Sequence, residues 1–254
     1  MKRLSFFFVL ILLTSACGPT QAEGAISGCA ETVAAVRDLR ADYPFPDHLN
    51  TENPVENGSE FDPNAYFSVL DSLSMEPGYT LDFVYTYDWL GSHPTLLARP
   101  ESSAPYLSWQ DVPDVPDAPG DYLDRVQADG SPESYFQLVV MRIMASQFYL
   151  LWHANYNDVQ IVCDRAALRG ILDGIASDDF GQPMPLTDRA RAAALSGLEP
   201  VVEIGEGTVE VRVVTFSNWG GFYELTFTLN RDFPHTLLGV EDKLLVPYDC
   251  GIMF

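Results

Sequence analysis

The chain has 254 residues, of which 36 are acidic and 14 are basic, and its formal net charge at pH 7 is −22. This charge argues against nucleic acid as a partner, because phosphate binding requires a basic surface, and against adsorption to anionic lipid by electrostatic attraction alone. The length and the hydrophobic share of 47% allow a sizeable core.

The first 17 residues have the pattern of an export signal. Lys2 and Arg3 precede an apolar run from Leu4 to Leu13, which is too short to span a bilayer. The residues LTSA then lead directly into Cys17, and this segment resembles the lipobox of bacterial lipoproteins. The resemblance implies cleavage before Cys17 and acylation of its thiol. The alternative is an ordinary signal peptide followed by an incidental cysteine.

This signal predicts three parts of the chain. Residues 1–16 are the expected signal peptide, residues 17–28 the lipidated cysteine and a flexible tether, and residues 29–254 a single α+β domain. Cleavage would remove Lys2 and Arg3 and leave 12 basic and 36 acidic residues, a formal charge of −24. We therefore expect an exported protein of the cell envelope that is held at a membrane by its lipid.

Helices are predicted where apolar residues recur at helical spacing or follow a capping residue. The first runs from Glu31 to Leu39, and later ones begin after the caps Asp62, Ser131 and Asp164. A short helix is also predicted in TDRARAAALSGL.

Strands are predicted where β-forming residues alternate. TLDFVYTYDW and TLLAR form a hairpin around the turn LGSHP, and QFYLLWH and VQIVC form another around ANYND. The last third is rich in strands, with VEVRVVTFSNWGGFYELTFTLNR as a central hairpin. Val209, Val211, Val213 and Thr215 should take one face of its first strand. The fold class is therefore α+β, an antiparallel sheet built from hairpins with several packed helices.

Three cysteines besides Cys17 leave one disulfide and one free thiol in an oxidising compartment. Cys29 and Cys250 lie near the two ends of the folded body, and chain ends often meet. Among the three possible pairings we favour Cys29 with Cys250. Cys163 alternates with Val159 and Ile161, which predicts a buried free thiol.

Three predicted turns each carry a tryptophan, and two of them add a histidine. The pairs are Trp89 with His93 and Trp152 with His153, and Trp219 stands alone. If these turns share one end of a sheet, the side chains could line a ligand-binding cleft, since tryptophan offers a flat apolar face and one donor. The alternative is that each tryptophan covers the edge of its own hairpin.

No catalytic motif, metal site or cofactor site is recognisable in the sequence. The leading hypothesis is a membrane-anchored lipoprotein with a binding or structural role. Its ligand would be a small molecule, a glycan or a cationic protein. The alternative is an exported hydrolase that uses carboxylates with His93 or His153. A hydrolase should bring a histidine within hydrogen-bond reach of a carboxylate inside the cleft.

Overall fold

The computed structural model describes residues 22–87, 91–113, 121–152, 158–178 and 181–252. The fold is α+β, as the sequence predicts. The helices of these ranges are α1 (Cys29–Ala41), α2 (Pro132–Met144), α3 (Arg165–Ser177) and α4 (Leu186–Ala193). The strands are β1 (Ala22–Ala25), β2 (Leu73–Met75), β3 (Tyr79–Thr86), β4 (Gly91–Pro100), β5 (Val126–Ala128), β6 (Leu151–Trp152), β7 (Gln160–Ile161), β8 (Val201–Ile204), β9 (Thr208–Ser217), β10 (Gly221–Asn230) and β11 (Leu237–Pro247).

The main sheet is antiparallel and has the order β1-β8-β9-β10-β11, with β7 pairing beside the end of β9. The predicted central hairpin is confirmed as β9 and β10. Its turn requires glycine at position 221, where φ is +93° and an added Cβ would lie 2.2 Å from the carbonyl oxygen of Val246. Any other residue would therefore displace β11 from β10.

The two faces of β9 serve two separate apolar clusters, as its alternation predicts. Val209, Val211 and Val213 are buried in the first cluster, which also receives α1 and the almost entirely buried α2. Val214 and Phe216 are buried in the second cluster with residues of α3. Helices α1 and α3 therefore cover opposite faces of the same sheet.

A smaller antiparallel sheet has the order β3-β4-β6. The predicted hairpin of β3 with β4 is confirmed, but β4 begins at Gly91, so His93 lies within a strand and not in a turn. The predicted hairpin around ANYND is wrong. Trp152 of β6 pairs with Gly91, whereas Gln160 of β7 pairs with Phe216 of the main sheet. The two short strands do not pair with each other because β6 pairs with β4 in the smaller sheet and β7 pairs with β9 in the main sheet.

The predicted helix caps are confirmed. Side-chain oxygens of Ser131 and Asp164 accept backbone N–H groups at the start of α2 and α3, and Asp62 does so for a short 3-10 helix at Pro63–Ser68. Further 3-10 helices span Asp47–Leu49 and Tyr122–Arg125.

The start of the described chain is less free than expected. Ala22–Ala25 forms β1 against Val201–Ile204, and Ile26 is buried. A flexible tether over residues 17–28 is therefore wrong from residue 22 onward, because the backbone of Ala22–Ala25 pairs with the edge of β8. Cys17 lies outside the described residues. In the described ranges, no helix has the length and the apolar composition to cross a membrane.

The disulfide joins Cys29 to Cys163, with Cα atoms 5.6 Å apart, and Cys250 is the buried free thiol. The predicted pairing of Cys29 with Cys250 is therefore wrong, as is the prediction of a free Cys163. The reason is the sheet between them. Cys29 and Cys163 belong to the first apolar cluster, and Cys250 belongs to the second.

Candidate functional site

A groove of about 720 Å³ lies between α1 and α3, at the sheet edge formed by β7. The disulfide joins the two helices at their N-terminal ends, since Cys29 is the first residue of α1 and Cys163 precedes the N-cap of α3. Because α1 and α3 cover opposite faces of the sheet, the groove opens where the two helical layers meet.

The walls of the groove are small and mainly apolar. Gly170 and Gly174 of α3 have open space where a Cβ would lie, so the absence of side chains leaves part of this volume empty. Although it contains these two glycines, helix α3 has a stabilised N-terminus, because the Asp164 side chain caps it by accepting the N–H groups of Ala166 and Ala167 at 2.7 and 2.8 Å. The other apolar lining residues are Ala30, Val33, Ala34, Met144, Val159, Ile161, Ile171, Ile175 and Phe216.

Arg40 lines the groove near the C-terminal end of α1. Its guanidinium group donates to the carbonyl oxygens of Val36 at 3.2 Å, and of Met144 and Gln147 at 2.7 Å each. Burial lowers the pKa of Arg40, but the group stays charged. Among the described residues no carboxylate forms an ion pair with it. Its acceptors are neutral, so its positive charge is held in place without a carboxylate contact from the part of the chain that the structure describes.

Arg37 adds a second positive charge one turn earlier on α1. Its side chain is exposed, and its nearest ion-pair partner, Asp38, lies 3.9 Å away. Such an exposed contact has little energetic value. Arg37 and Arg40 together form a positive region on the α1 side of the groove, whereas Asp164 and Asp178, at the two ends of α3, also line it.

Asp158 does not line the groove itself but contacts a residue that does. Asn218, which lines the groove, donates its amide to Asp158 Oδ2 at 2.6 Å. Burial raises the pKa of Asp158 above its usual range. Among the described residues its Oδ1 has no hydrogen-bond partner. This carboxyl therefore favours the neutral form more than an exposed aspartate does.

The aromatic residues predicted to share a cleft are not brought together by what the structure describes. Trp219 packs against the second apolar cluster in the β9–β10 turn. His93 lies in β4 opposite Thr86 of β3, in the other sheet. Trp152 is described only by its backbone in β6, and Trp89 and His153 lie outside the described residues.

A second cluster of ionisable groups lies beside β3. His48 Nε2 and Glu60 Oε1 are 2.5 Å apart, and Glu60 also accepts the N–H groups of Asn57 and Gly58 at 2.9 and 2.8 Å. Burial alone would raise the pKa of Glu60, but these hydrogen bonds outweigh it and the pKa is lowered. Glu60 is therefore ionised at neutral pH.

Glu56 in the same cluster behaves in the opposite way. Burial, together with the nearby carboxylates of Asp82 and Glu60, raises the pKa of Glu56 to about 9. The side chain of Glu56 is buried, and among the described residues its Oε1 has no hydrogen-bond partner. Glu56 is therefore a buried neutral acid at pH 7, next to an ionised one.

Sequence reasoning missed the groove, although one signal for it was present. Ala30 and Ala34 on α1, and Ala166, Gly170 and Gly174 on α3, are small residues spaced by four, so each set shares one helix face. Small residues on a helix face permit close packing or leave a cavity, and the sequence alone does not distinguish the two.

The described residues contain no group of three or more histidine, cysteine, aspartate or glutamate side chains arranged to hold a metal ion. No protein-family model, no curated protein and no solved structure matches the chain.

Proposed function

We propose that this protein is an exported, lipid-anchored protein of the cell envelope that binds a small, mainly apolar ligand carrying an anionic group. The binding site is the groove between α1 and α3. The observation that carries the proposal is Arg40, a positive charge without a carboxylate partner among the described residues, at the side of a mainly apolar groove. A groove of about 720 Å³ has the size typical of small-molecule sites.

The location of the protein is proposed from two observations. The first is the N-terminal sequence, in which a basic and apolar signal runs into Cys17. The second is the disulfide between Cys29 and Cys163, which supports folding in an oxidising compartment. A covalent lipid is also the anchor that suits this body, because its negative charge opposes electrostatic adsorption to anionic lipid.

An exported hydrolase is the second candidate, and the contact between His48 and Glu60 is the observation that favours it. Beside it, Glu56 and Glu60 have pKa values shifted in opposite directions, which is a property of many acid–base sites. However, no histidine is among the described residues that line the groove. The groove therefore fits binding better than acid–base catalysis.

The choice of ligand class is tested with two fluorescent probes. 8-Anilinonaphthalene-1-sulfonate is apolar and anionic, and N-phenyl-1-naphthylamine has the same rings without the sulfonate. We expect the protein to bind the anionic probe more tightly. Arg37→Gln should weaken the binding of the anionic probe about threefold, because an exposed charge contributes up to about 1 kcal/mol. The affinity for the neutral probe should not change.

Arg169→Gln is the matched control, since Arg169 lies on α3, is exposed and does not line the groove. It removes the same charge elsewhere. Equal binding of the two probes by the wild-type protein would contradict an anionic ligand. An equal loss in Arg169→Gln would show that net charge, and not the groove, governs binding.

The anchor is tested separately by Cys17→Ser. We expect this change to block processing or to release the protein from the membrane fraction, and we expect mass spectrometry of the wild-type protein to show a lipidated cysteine as its first residue. Unchanged membrane retention with an unmodified N-terminus would contradict the anchor.

A further inference from the structure

Four large apolar side chains are exposed around the end of β3, on a part of the protein that does not line the groove. The exposed fractions are 53% for Val55, 36% for Tyr87, 41% for Leu107 and 49% for Trp109. We call these four residues the Trp109 surface. Exposed apolar side chains that gather in one place mark interaction sites more often than isolated ones do.

Hydrogen bonds fix the neighbourhood of these four residues. The backbone N–H of Glu56, next to Val55, donates to the carbonyl oxygen of Leu107 at 2.9 Å. The indole Nε1 of Trp109 donates to Oγ1 of Thr86, next to Tyr87, at 2.9 Å. The loop that carries Leu107 and Trp109 is therefore tied at one point to the chain around Val55 and at another to the end of β3.

The backbone of the loop is held by hydrogen bonds to two carboxylates. Asp111 Oδ2 accepts the N–H groups of Leu107 and Ser108, each at 3.0 Å. Asp82 Oδ2 accepts the N–H of Tyr106 at 3.0 Å and the Nε of Arg99 at 2.5 Å. A loop ordered in this way before binding loses little conformational entropy when a ligand arrives.

The indole N–H of Trp109 is used within the protein, so only its ring is available to a ligand. The indole N–H, its one hydrogen-bond donor, is already used by Thr86. The half-exposed indole is therefore available to a ligand through its apolar ring and not through its N–H donor. Such a ring suits a ligand that stacks, because ring contacts of this kind contribute about 0.5–1.5 kcal/mol beyond simple burial.

The carboxylates near this surface are engaged in contacts within the protein. Asp82 is paired with Arg99, and Glu60 accepts a hydrogen bond from His48. Asp111 uses one oxygen to hold the loop. Among the residues that the structure describes, a cationic partner therefore finds few free carboxylate oxygens at this surface, although the whole chain has a formal charge of −22. The same total charge repels an anionic ligand, and nearby Arg99, unlike Arg40 in the groove, is already paired with a carboxylate, so an uncharged ligand fits best.

We propose that the Trp109 surface binds a neutral glycan, with the indole face of Trp109 stacked on the apolar face of a pyranose ring. A pyranose is uncharged and has one face of C–H groups, and the exposed residue Gln110, next to Trp109, is a polar neighbour for its hydroxyl groups. This site is separate from the groove and does not depend on the function proposed for it.

The test is an array of neutral, anionic and cationic oligosaccharides, probed with the full chain and followed by titration of the neutral glycans that bind. Trp109→Ala should weaken the binding of neutral glycans at least tenfold. Thr86→Val keeps the shape of the side chain but removes the oxygen that orients the indole, and should weaken binding by a smaller factor. Leu238→Ala removes an equally exposed apolar side chain from β11 and should change nothing.

Thermal melts of the same variants separate binding from folding. We expect Thr86→Val and Trp109→Ala to melt within a few degrees of the wild type, because the indole is half exposed. Failure of the wild type to bind any neutral glycan at millimolar concentration would overturn the proposal. Binding that Trp109→Ala leaves unchanged, or binding confined to cationic oligosaccharides, would also overturn it.

Discussion

Cys29 and Cys163 are joined by a disulfide with Cα atoms 5.6 Å apart, although 134 residues separate them in the sequence. The bond connects the beginnings of α1 and α3, which cover opposite faces of the main sheet. These two helices form the walls of the groove. The position of the disulfide therefore bears on both the stability of the fold and the shape of the site.

Loss of this disulfide should strongly destabilise the protein. In the chain-entropy model, a loop of 134 residues corresponds to about 5 kcal/mol. We expect Cys163→Ala to lower the melting temperature by about 10 °C or more, as measured by circular dichroism. Cys250→Ala is the matched control, because it also removes a buried sulfur but leaves the disulfide intact.

A reducing agent gives the second arm of this test. It should lower the melting temperature of Cys250→Ala and leave that of Cys163→Ala unchanged. Peptide mapping that finds Cys29 bonded to Cys250, or equal melting temperatures for the two variants, would contradict the pairing.

Val213→Asp should be among the most damaging single changes in the sheet. Val213 is buried in the first apolar cluster at the centre of β9, and an unpaired carboxylate there costs on the order of several kcal/mol. Glu210→Ala is a control at an exposed position of the same strand. A thermal melt of Val213→Asp within a degree or two of the wild type would show that β9 is not central.

Glu56 should make the wild-type protein less stable as the pH rises. Its pKa is about 9 in the folded protein and near 4.5 in the unfolded chain, so between these values only the folded state keeps the proton. The free energy of unfolding then falls with pH across this window. Glu56→Gln removes the titrating group, and we expect it to exceed the wild type by on the order of 3 kcal/mol at pH 7 and by much less at pH 4.

Glu60→Gln is the opposite case. The pKa of Glu60 is lowered in the folded protein, so its contribution to stability is present above the unfolded pKa and is lost as the pH falls through the folded one. This variant should be less stable than the wild type at pH 7. Denaturant unfolding at pH 4 and pH 7 measures both effects, and a Glu56→Gln variant that is no more stable at pH 7 would contradict a neutral Glu56.

Local patterns in the sequence were enough to predict much of the fold. The caps Ser131 and Asp164 and the alternation around Val213 each depend on a few neighbouring residues, so they could be predicted directly. The sequence did not allow us to predict the pairing partners of β6 and β7 or the disulfide partner of Cys29. These partners depend on which elements meet after the chain has folded.

The candidate sites were harder to predict for the same reason. The groove exists only because α1 and α3 meet at one sheet edge, and Trp109 lies in a loop without any periodic pattern. The aromatic residues chosen from the sequence were selected by their place in predicted turns. The structure places His93 within a strand and packs Trp219 against the second apolar cluster.

The central claim, that the groove between α1 and α3 binds a small apolar anion, is tested most directly by filling it. Gly170 lines the groove and has open space where a side chain would begin, so Gly170→Leu should occupy the site without disturbing the helix. Arg169→Leu adds the same side chain to the outer face of α3. We expect 8-anilinonaphthalene-1-sulfonate to bind saturably to the wild type and to Arg169→Leu, and at least tenfold more weakly to Gly170→Leu. Equal binding by all three proteins would contradict the claim.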